Sequence, residues 1–386
     1  MILSKYIIRE RNEATVLKEI VDHEGISRAQ IAQKTRLNKA SVSSITSTLI
    51  ENHLIFETGI GDASSVGGRK PILLEFNGEA GLVMALDIGY NYITAILTFL
   101  DGKKISSVSY ENLFIQKTNI LEHIDKIIRQ FELDMPETPH GVIGLSLAIH
   151  GIVSENKILF TPYYDLDQMD LAHELEERYD YPVLLENEAN LTALAEYCFA
   201  KEYHSVVAIS VHSGIGAGIV IDGKLLTGKN GQAGEIGHSI LVPHGKHCPC
   251  GNNGCLEQYA SNKVLFERYA TERKLAFANS HILTEALKHH DEVAEKLVME
   301  NMSLMAICVN NVAIMFNPEA IFINSSVYRK NSRLVEELHD KLNSFLLKDI
   351  ELRTGTFHDL ATLYGGVANL AMNFLNIQEL HLRHPL

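Results

Sequence analysis

Three cysteines, Cys248, Cys250 and Cys255, fall within the eight-residue run CPCGNNGC, and His238 lies ten residues upstream. Thiolates and an imidazole are the donors tetrahedral zinc prefers, so these four residues compose one Cys3His set for a structural zinc ion. Gly251 and Gly254 permit the turn that would make Cys250 and Cys255 face one ion. A disulfide or buried free thiols is the competing reading, but clustered cysteines in a cytosolic chain are more often metal sites than bridges. Two acids bracket the cluster. Glu235 precedes His238 by three residues, so a helical or tight turn would project both the same way. Glu257 follows Cys255 by two, so a bound metal would fix its backbone. Carboxylates held this way accept charge-assisted hydrogen bonds from vicinal sugar hydroxyls. The second nitrogen of a metal-bound histidine can face a ligand. The blander alternative is that both glutamates cap helices or pair with Lys224 and Lys229.

A further carboxylate stands in Asn187-Glu188-Ala189-Asn190, after a predicted strand over Pro182–Glu186 and at the start of a predicted helix. There Glu188 could act as a base on a hydroxyl, or simply complement the helix dipole; the sequence leaves both open. The turn Ser213-Gly-Ile-Gly-Ala-Gly218 could approach a phosphate or a sugar, though Gly214 and Gly216 equally suit a tight hairpin. Cys198 and Cys308 sit in apolar helical contexts and read as core.

The elements that would position these residues follow from patterning. A chain of 386 residues, 46% hydrophobic and 21% charged, is ordinary globular material and long enough for about two or three domains. No apolar run approaches the ~20 residues of a membrane span and no signal-peptide pattern opens the chain, which points to the cytoplasm and away from membranes. The net charge of −14 is uneven: residues 1–78 carry ten Lys/Arg against nine Asp/Glu, and Gly25–Ile50 holds Arg28, Lys34, Arg36 and Lys39 with no acid. A basic window on an acidic protein suggests a small nucleic-acid module attached to a different body.

Residues 1–78 read as a winged helix-turn-helix. Ala14–Val21 is an amphipathic helix; Ser27 caps a second, with Ile31 and Ala32 inward; Asn38 caps a third, Lys39–Asn52. The third exposes Lys39, Ser41, Ser43, Ser44, Thr46 and Ser47, small hydroxyls beside a lysine that suit base edges and phosphates in a major groove. Leu54–Glu57 and Ile72–Phe76 pair as strands around GIGDASSVGGRKP, placing Arg69, beside Lys70, at a wing tip that could enter a minor groove. A helical protein-interaction module is the alternative.

From residue 79 the body repeats itself. Leu82–Ile105 and Val206–Leu226 each run strand, turn, strand and then Asp-Gly-Lys, a hairpin signal. Duplicated halves imply two α/β lobes around a cleft. The first lobe spans 79–200, with strands Val142–His150 and Pro182–Glu186 and helix Ala189–Ala200, and a C-terminal helix within 366–386 returning to it. The second spans 201–365, with helix Asp291–Phe316, strand Ala320–Asn324 and helix Ser332–Leu347. Only Asn77-Gly78 separates wing from lobe, so movement can be transmitted across it.

At these residues the chain resembles the ROK family of sugar-responsive repressors and sugar kinases. The resemblance covers nearly all of it: GGRKP (Gly67–Pro71), LDIG (Leu86–Gly89), ENEAN (Glu186–Asn190), GEIGH (Gly234–His238) and CPCGNNGCLEQYAS (Cys248–Ser261). It implies a two-lobed sugar kinase/actin-like fold, commonly dimeric or tetrameric. It also implies zinc on His238, Cys248, Cys250 and Cys255, and a sugar held by Asn187, Glu235, His238 and Glu257 with Glu188 at the kinase base position. The DNA-binding arm makes the chain look like the xylose-repressor branch, with operator DNA and xylose, glucose or a related sugar as partners. It departs from the kinase pattern where Asp-x-Gly-Gly-Thr is replaced by Asp87-Ile88-Gly89-Tyr90-Asn91, Tyr90 filling the phosphate space. Glu188 replaces the catalytic aspartate, a displacement on the order of 1 Å that can cost about a hundredfold in rate. Asn324-Ser325 replaces a glycine pair beside the adenosine. The expected protein is a sensor without catalytic residues.

Overall fold

The computed structural model describes residues 2–60, 70–162, 164–200, 203–383 and 385. They form two compact units, Met1–Gly151 with Asn156–Glu186 and Gly366–Leu386, and Ile152–Glu155 with Asn187–Gly365.

The first unit opens with three helices, α1 (Ile2–Val21), α2 (Arg28–Thr35) and α3 (Lys39–Glu51). Helix α1 starts at Ile2, well before the expected Ala14; the polar run Arg9–Glu13 in its middle interrupts the apolar pattern. Ser27 and Gln30 cap α2 reciprocally, and the Asn38 Oδ1 accepts from the Ser41 N–H at 2.8 Å to start α3. Val16, Leu17, Ile20, Ile31, Val42 and Leu49 close the head's core. Strand Ile72–Phe76 pairs antiparallel with both Ile26–Ser27 and Ile55–Ile60. The wing tip, with Arg69, lies outside the described residues.

The head is bolted to the rest of its unit. Asn77 bonds Leu54 O through its N–H at 2.9 Å and His53 O through its side chain at 2.7 Å. His140 Nε2 meets Asn52 O, at the C-terminal cap of α3, at 2.8 Å. Its ring packs edge-on against Phe374 with centroids 5.2 Å apart.

Each unit carries a five-stranded sheet, and the two repeat one plan. In the first the strands run, in spatial order, Lys104–Glu111, Tyr92–Phe99, Leu82–Ile88, Val142–Ile149, Val183–Asn187; in the second, Lys224–Leu225, Ile215–Ile221, Val206–Val211, Ala320–Asn324, Glu351–Thr354. Numbered within its own sheet, each is 3-2-1-4-5, the duplication the two Asp-Gly hairpins announced. In the second, Asp222 and Gly223 both take positive φ, as a two-residue hairpin demands.

Several boundaries differ from expectation. The helix Glu188–Phe199 belongs to the second unit, not the first: Ala189 packs so closely on the glycine turn that a Cβ at Gly218 would strike its carbonyl. Every residue of that helix is buried, so no polar face marked which sheet it covers. The stretch expected as one helix from Ser332 stops at His339, and Ser344 caps a separate 3₁₀ turn, Phe345–Leu347. Helix Ala361–Leu375 starts five residues before Gly366. Glu292–Phe316 is long and apolar enough by length and composition to cross a bilayer, against the expectation that no run comes near that length. Its Leu297, Met302, Met305, Val309 and Val312 form the second unit's core, and Asn301 donates to Ala260 O at 2.8 Å.

Glu196 is fully buried, its two oxygens accepting from the Thr356 N–H and hydroxyl, both at 2.7 Å. Burial outweighs these bonds and pushes its carboxyl up to about 7. The folded protein therefore holds a proton that the unfolded chain releases above its ordinary carboxylate range. The stability this group contributes is complete in acid and is lost as pH rises toward about 7, by up to about 3 kcal/mol. Glu196→Gln is expected to flatten that decline in urea midpoints measured from pH 5 to 8; an unchanged slope would assign it to other groups.

Candidate functional site

The second unit assembles the cysteine cluster from two segments. His238 ends the 3₁₀ turn Ile236–His238, and the cysteines follow on a loop whose Gly254 has φ +86° and a backbone pressed against Val242 O, leaving no room for a side chain. Cys248 Sγ lies 3.6 Å from His238 Nδ1, and Cys250 Sγ 3.7 Å from Cys255 Sγ. All four donor atoms lie within 4.8 Å of one another. Sulfurs about 2.3 Å from one tetrahedral ion stand about 3.8 Å apart, whereas a disulfide needs about 2.05 Å. The cysteines are free thiols placed as ligands, so the bridge reading is set aside. The cluster could hold a metal ion. Burial pushes the metal-free Cys248 thiol up to about 12. Cys198 and Cys308 are buried core thiols, both raised by burial.

Glu257 opens the one-turn helix Glu257–Ala260 and sits 3.2 Å from Cys248 Sγ and 3.7 Å from His238 Nδ1. Gln258 Nε2 donates to Glu257 Oε1 at 3.1 Å. Glu235 Oε2 lies 3.7 Å from the other ring nitrogen, Nε2 of His238. The imidazole thus turns Nδ1 to the cysteines and Nε2 to the acid. Burial raises the Glu235 carboxyl, His238 opposes the shift, and the charges of Glu257 and Glu188 add to it. Three carboxylates therefore share one electrostatic neighbourhood, drawn from sequence positions 188 to 257. Glu188 is buried and accepts from the Ser210 hydroxyl at 3.1 Å. It is not merely a solvated charge on a helix end. Asn187 Oδ1 caps that helix, accepting from the Ala189 N–H at 2.8 Å, so the oxygen expected to bind ligand has a local role. Neither Glu235 nor Glu257 has a lysine partner among the described residues.

In the first unit, Asp87 and His150 stand at the ends of neighbouring parallel strands, with Asp87 Oδ1 2.8 Å from His150 Nε2. The Tyr92 hydroxyl donates to Asp87 Oδ2 at 3.0 Å. The Tyr92 ring lies so close to Gly89 that a Cβ there would strike it. Tyr92, not Tyr90, blocks the glycine; Tyr90 is 60% exposed. This group was missed in the sequence, although residues at the carboxyl ends of adjacent parallel strands are where α/β sites form. Asn324 and Ser325 are buried, with Ser325 Oγ 3.2 Å from Asn262 Oδ1.

On the head, Lys39, Ser43, Ser44 and Ser47 are exposed and Ser41 is half-buried; Lys70 is exposed beside the wing. Thr46 is buried, contrary to expectation, because its hydroxyl accepts from Arg28 Nε at 2.9 Å. Arg28 also pairs with Glu57 at 3.0 Å, so it ties α2 to α3 and to the wing strand.

An N-terminal helix-turn-helix with its strand hairpin, followed by two sheets of one topology, defines a two-lobed protein of the sugar kinase/actin-like class. The ROK family model matches residues 83–365, and the chain belongs to the ROK family. It is 34% identical over 349 residues, 89% of each chain, to the xylose repressor of Bacillus subtilis (strain 168). It is also similar to the crystal structure of a ROK family transcriptional regulator homologous to the Escherichia coli MLC protein (TM-score 0.82, 27% identity, covering 96% of this chain and 99% of that one). A ROK glucokinase from Streptomyces griseus, solved with glucose and AMPPNP, matches 76% of this chain and all of its own (TM-score 0.67, 25% identity).

Proposed function

We infer that this chain is a sugar-responsive transcriptional repressor that binds operator DNA as a dimer and releases it when a sugar occupies the Glu188–Glu235–His238–Glu257 site. The observation carrying this is the convergence of Glu235 and Glu257 on His238 of the Cys3His cluster, in a chain that also bears the helix-turn-helix. Carboxylates and an imidazole hold vicinal hydroxyls by charge-assisted hydrogen bonds. The effector is xylose, glucose or a related sugar, in keeping with relatives named xylose repressors. The Cys3His set suits zinc, which would supply a crosslink fixing the backbone of His238 and Glu257. Lys39, Ser41, Ser43, Ser44, Arg69 and Lys70 would meet the operator, with Arg28 positioning α3 rather than contacting phosphate. The protein would work in the cytoplasm.

A ligand shifts the DNA-bound state only by as much as its affinity differs between the two states. In an electrophoretic shift assay with a candidate operator, the matching sugar is expected to weaken DNA binding at least tenfold. Release that no sugar or sugar phosphate alters would remove the sensor reading.

A second reading, an ATP-dependent sugar kinase with a regulatory arm, draws on a cavity of about 630 Å³ in the second unit, lined in part by His212, Ser213, Asn262, Lys263, Phe266 and Ser326. Against it stand Tyr92 over Gly89, Glu188 in place of aspartate and the buried Asn324-Ser325 pair. Incubation with magnesium-ATP and a sugar panel decides, since sugar-dependent ADP release would favour the kinase.

A further inference from the structure

A cavity of about 330 Å³ in the first unit lies apart in sequence from every residue assigned above to sugar, metal or DNA. Its walls are Tyr90, Asn91 and the segment Asn112–Gln116, with Tyr164 and Asp165. Two large aromatic side chains on it face solvent, Tyr90 at 60% and Phe114 at 77% exposure. Their exposure does not come from a loose loop. Asn119 accepts from the Gln116 N–H at 3.0 Å and donates to Phe114 O at 2.7 Å. Leu113 N–H donates to Asn91 O at 2.8 Å, and Gln116 bridges to Asp165. Tyr164 is anchored beneath, its hydroxyl donating to Ile88 O at 2.9 Å.

The lining selects a ligand class. Among the described residues the lining holds no Lys, Arg or His, and the neighbouring Lys117 ammonium is already paired with Asp165 at 3.5 Å, so no uncommitted cation would repay the desolvation of a phosphate. It offers the carboxamides of Asn91, Asn112 and Gln116 and the carboxylate of Asp165, which together supply donors and acceptors for neutral hydroxyls. The faces of Tyr90 and Phe114 carry negative quadrupole density that attracts the polarised C–H face of a pyranose. We propose that this cavity is a glycan-binding subsite for one neutral sugar ring of a di- or oligosaccharide. The proposal rests on the sugar-responsive reading only for its choice of probes.

The test is ligand-observed saturation-transfer NMR on the full-length protein with maltose, cellobiose and lactose, and adenosine as an aromatic comparison. At least one disaccharide is expected to receive saturation from the wild type and equally from Glu257→Gln. A Tyr90→Ala/Phe114→Ala variant, whose melting temperature should be unchanged because both side chains are exposed, is expected to lose about fivefold in affinity. The proposal is overturned if no disaccharide is contacted, if the double variant binds as the wild type does, or if adenosine displaces the disaccharide. Failure of the repressor reading shows elsewhere, as operator release insensitive to every sugar, and leaves these signals intact.

Discussion

Cys250→Ser is expected to abolish the sugar response while leaving operator affinity within about threefold of wild type. Cys250 is the exposed member of the cluster, so serine fits without disturbing the core. Its loss leaves three donors, and binding energy of about 10 kcal/mol or more in isolated zinc peptides no longer holds the loop. Glu257 would suffer most, since its carboxylate rests on Cys248 at 3.2 Å and its backbone follows Cys255. Sugar affinity should fall on the order of 100-fold, as when the supports of a metal site are removed. Elemental analysis, sugar titration and an operator shift assay on one preparation measure the three quantities. A metal-free Cys250→Ser protein that still responds normally would show that the cluster does not support the pocket. The head should be indifferent, because its core of Val16, Ile31, Val42 and Leu49 lies in the other unit.

Glu257→Gln separates the acid from the brace. Glutamine keeps the shape and one acceptor oxygen but removes the charge, so charge-assisted bonds to sugar hydroxyls, worth about 1.5–3 kcal/mol, weaken. Sugar affinity is expected to fall by about 10- to 100-fold with metal content and operator affinity unchanged. Titration calorimetry beside metal analysis checks it, and an unchanged sugar affinity would place the hydroxyl contacts on other residues. Loss of the metal in this variant would instead mean that the carboxylate, 3.7 Å from His238 Nδ1, maintains the cluster.

What was legible in the sequence was local. Caps at Ser27 and Asn38 declare themselves within three residues of the helices they start. The Cys3His cluster was legible because thiols and an imidazole in so few residues have few other uses, and the sheet duplication because each copy carries its own Asp-Gly turn. What escaped depends on which surface a side chain meets in three dimensions. Thr46 looks like an exposed hydroxyl on α3 until Arg28, eighteen residues away, is seen to cover it. Asn187 reads as a ligand residue until its oxygen is found on two backbone N–H groups. The helix after it gave no clue to its lobe, because burial on every side erases periodicity.

The Tyr92 plug has a consequence for redesign. Restoring a kinase-like glycine at position 90 would change nothing where the Tyr92 ring covers Gly89 and its hydroxyl engages Asp87. Removing Tyr92 alone would leave Asp87 held by His150 at 2.8 Å. No single substitution therefore frees both Gly89 and Asp87. Tyr92, Asp87 and His150 act as an interlock: freeing this end of the two strands would take changes at Tyr92 and His150 together.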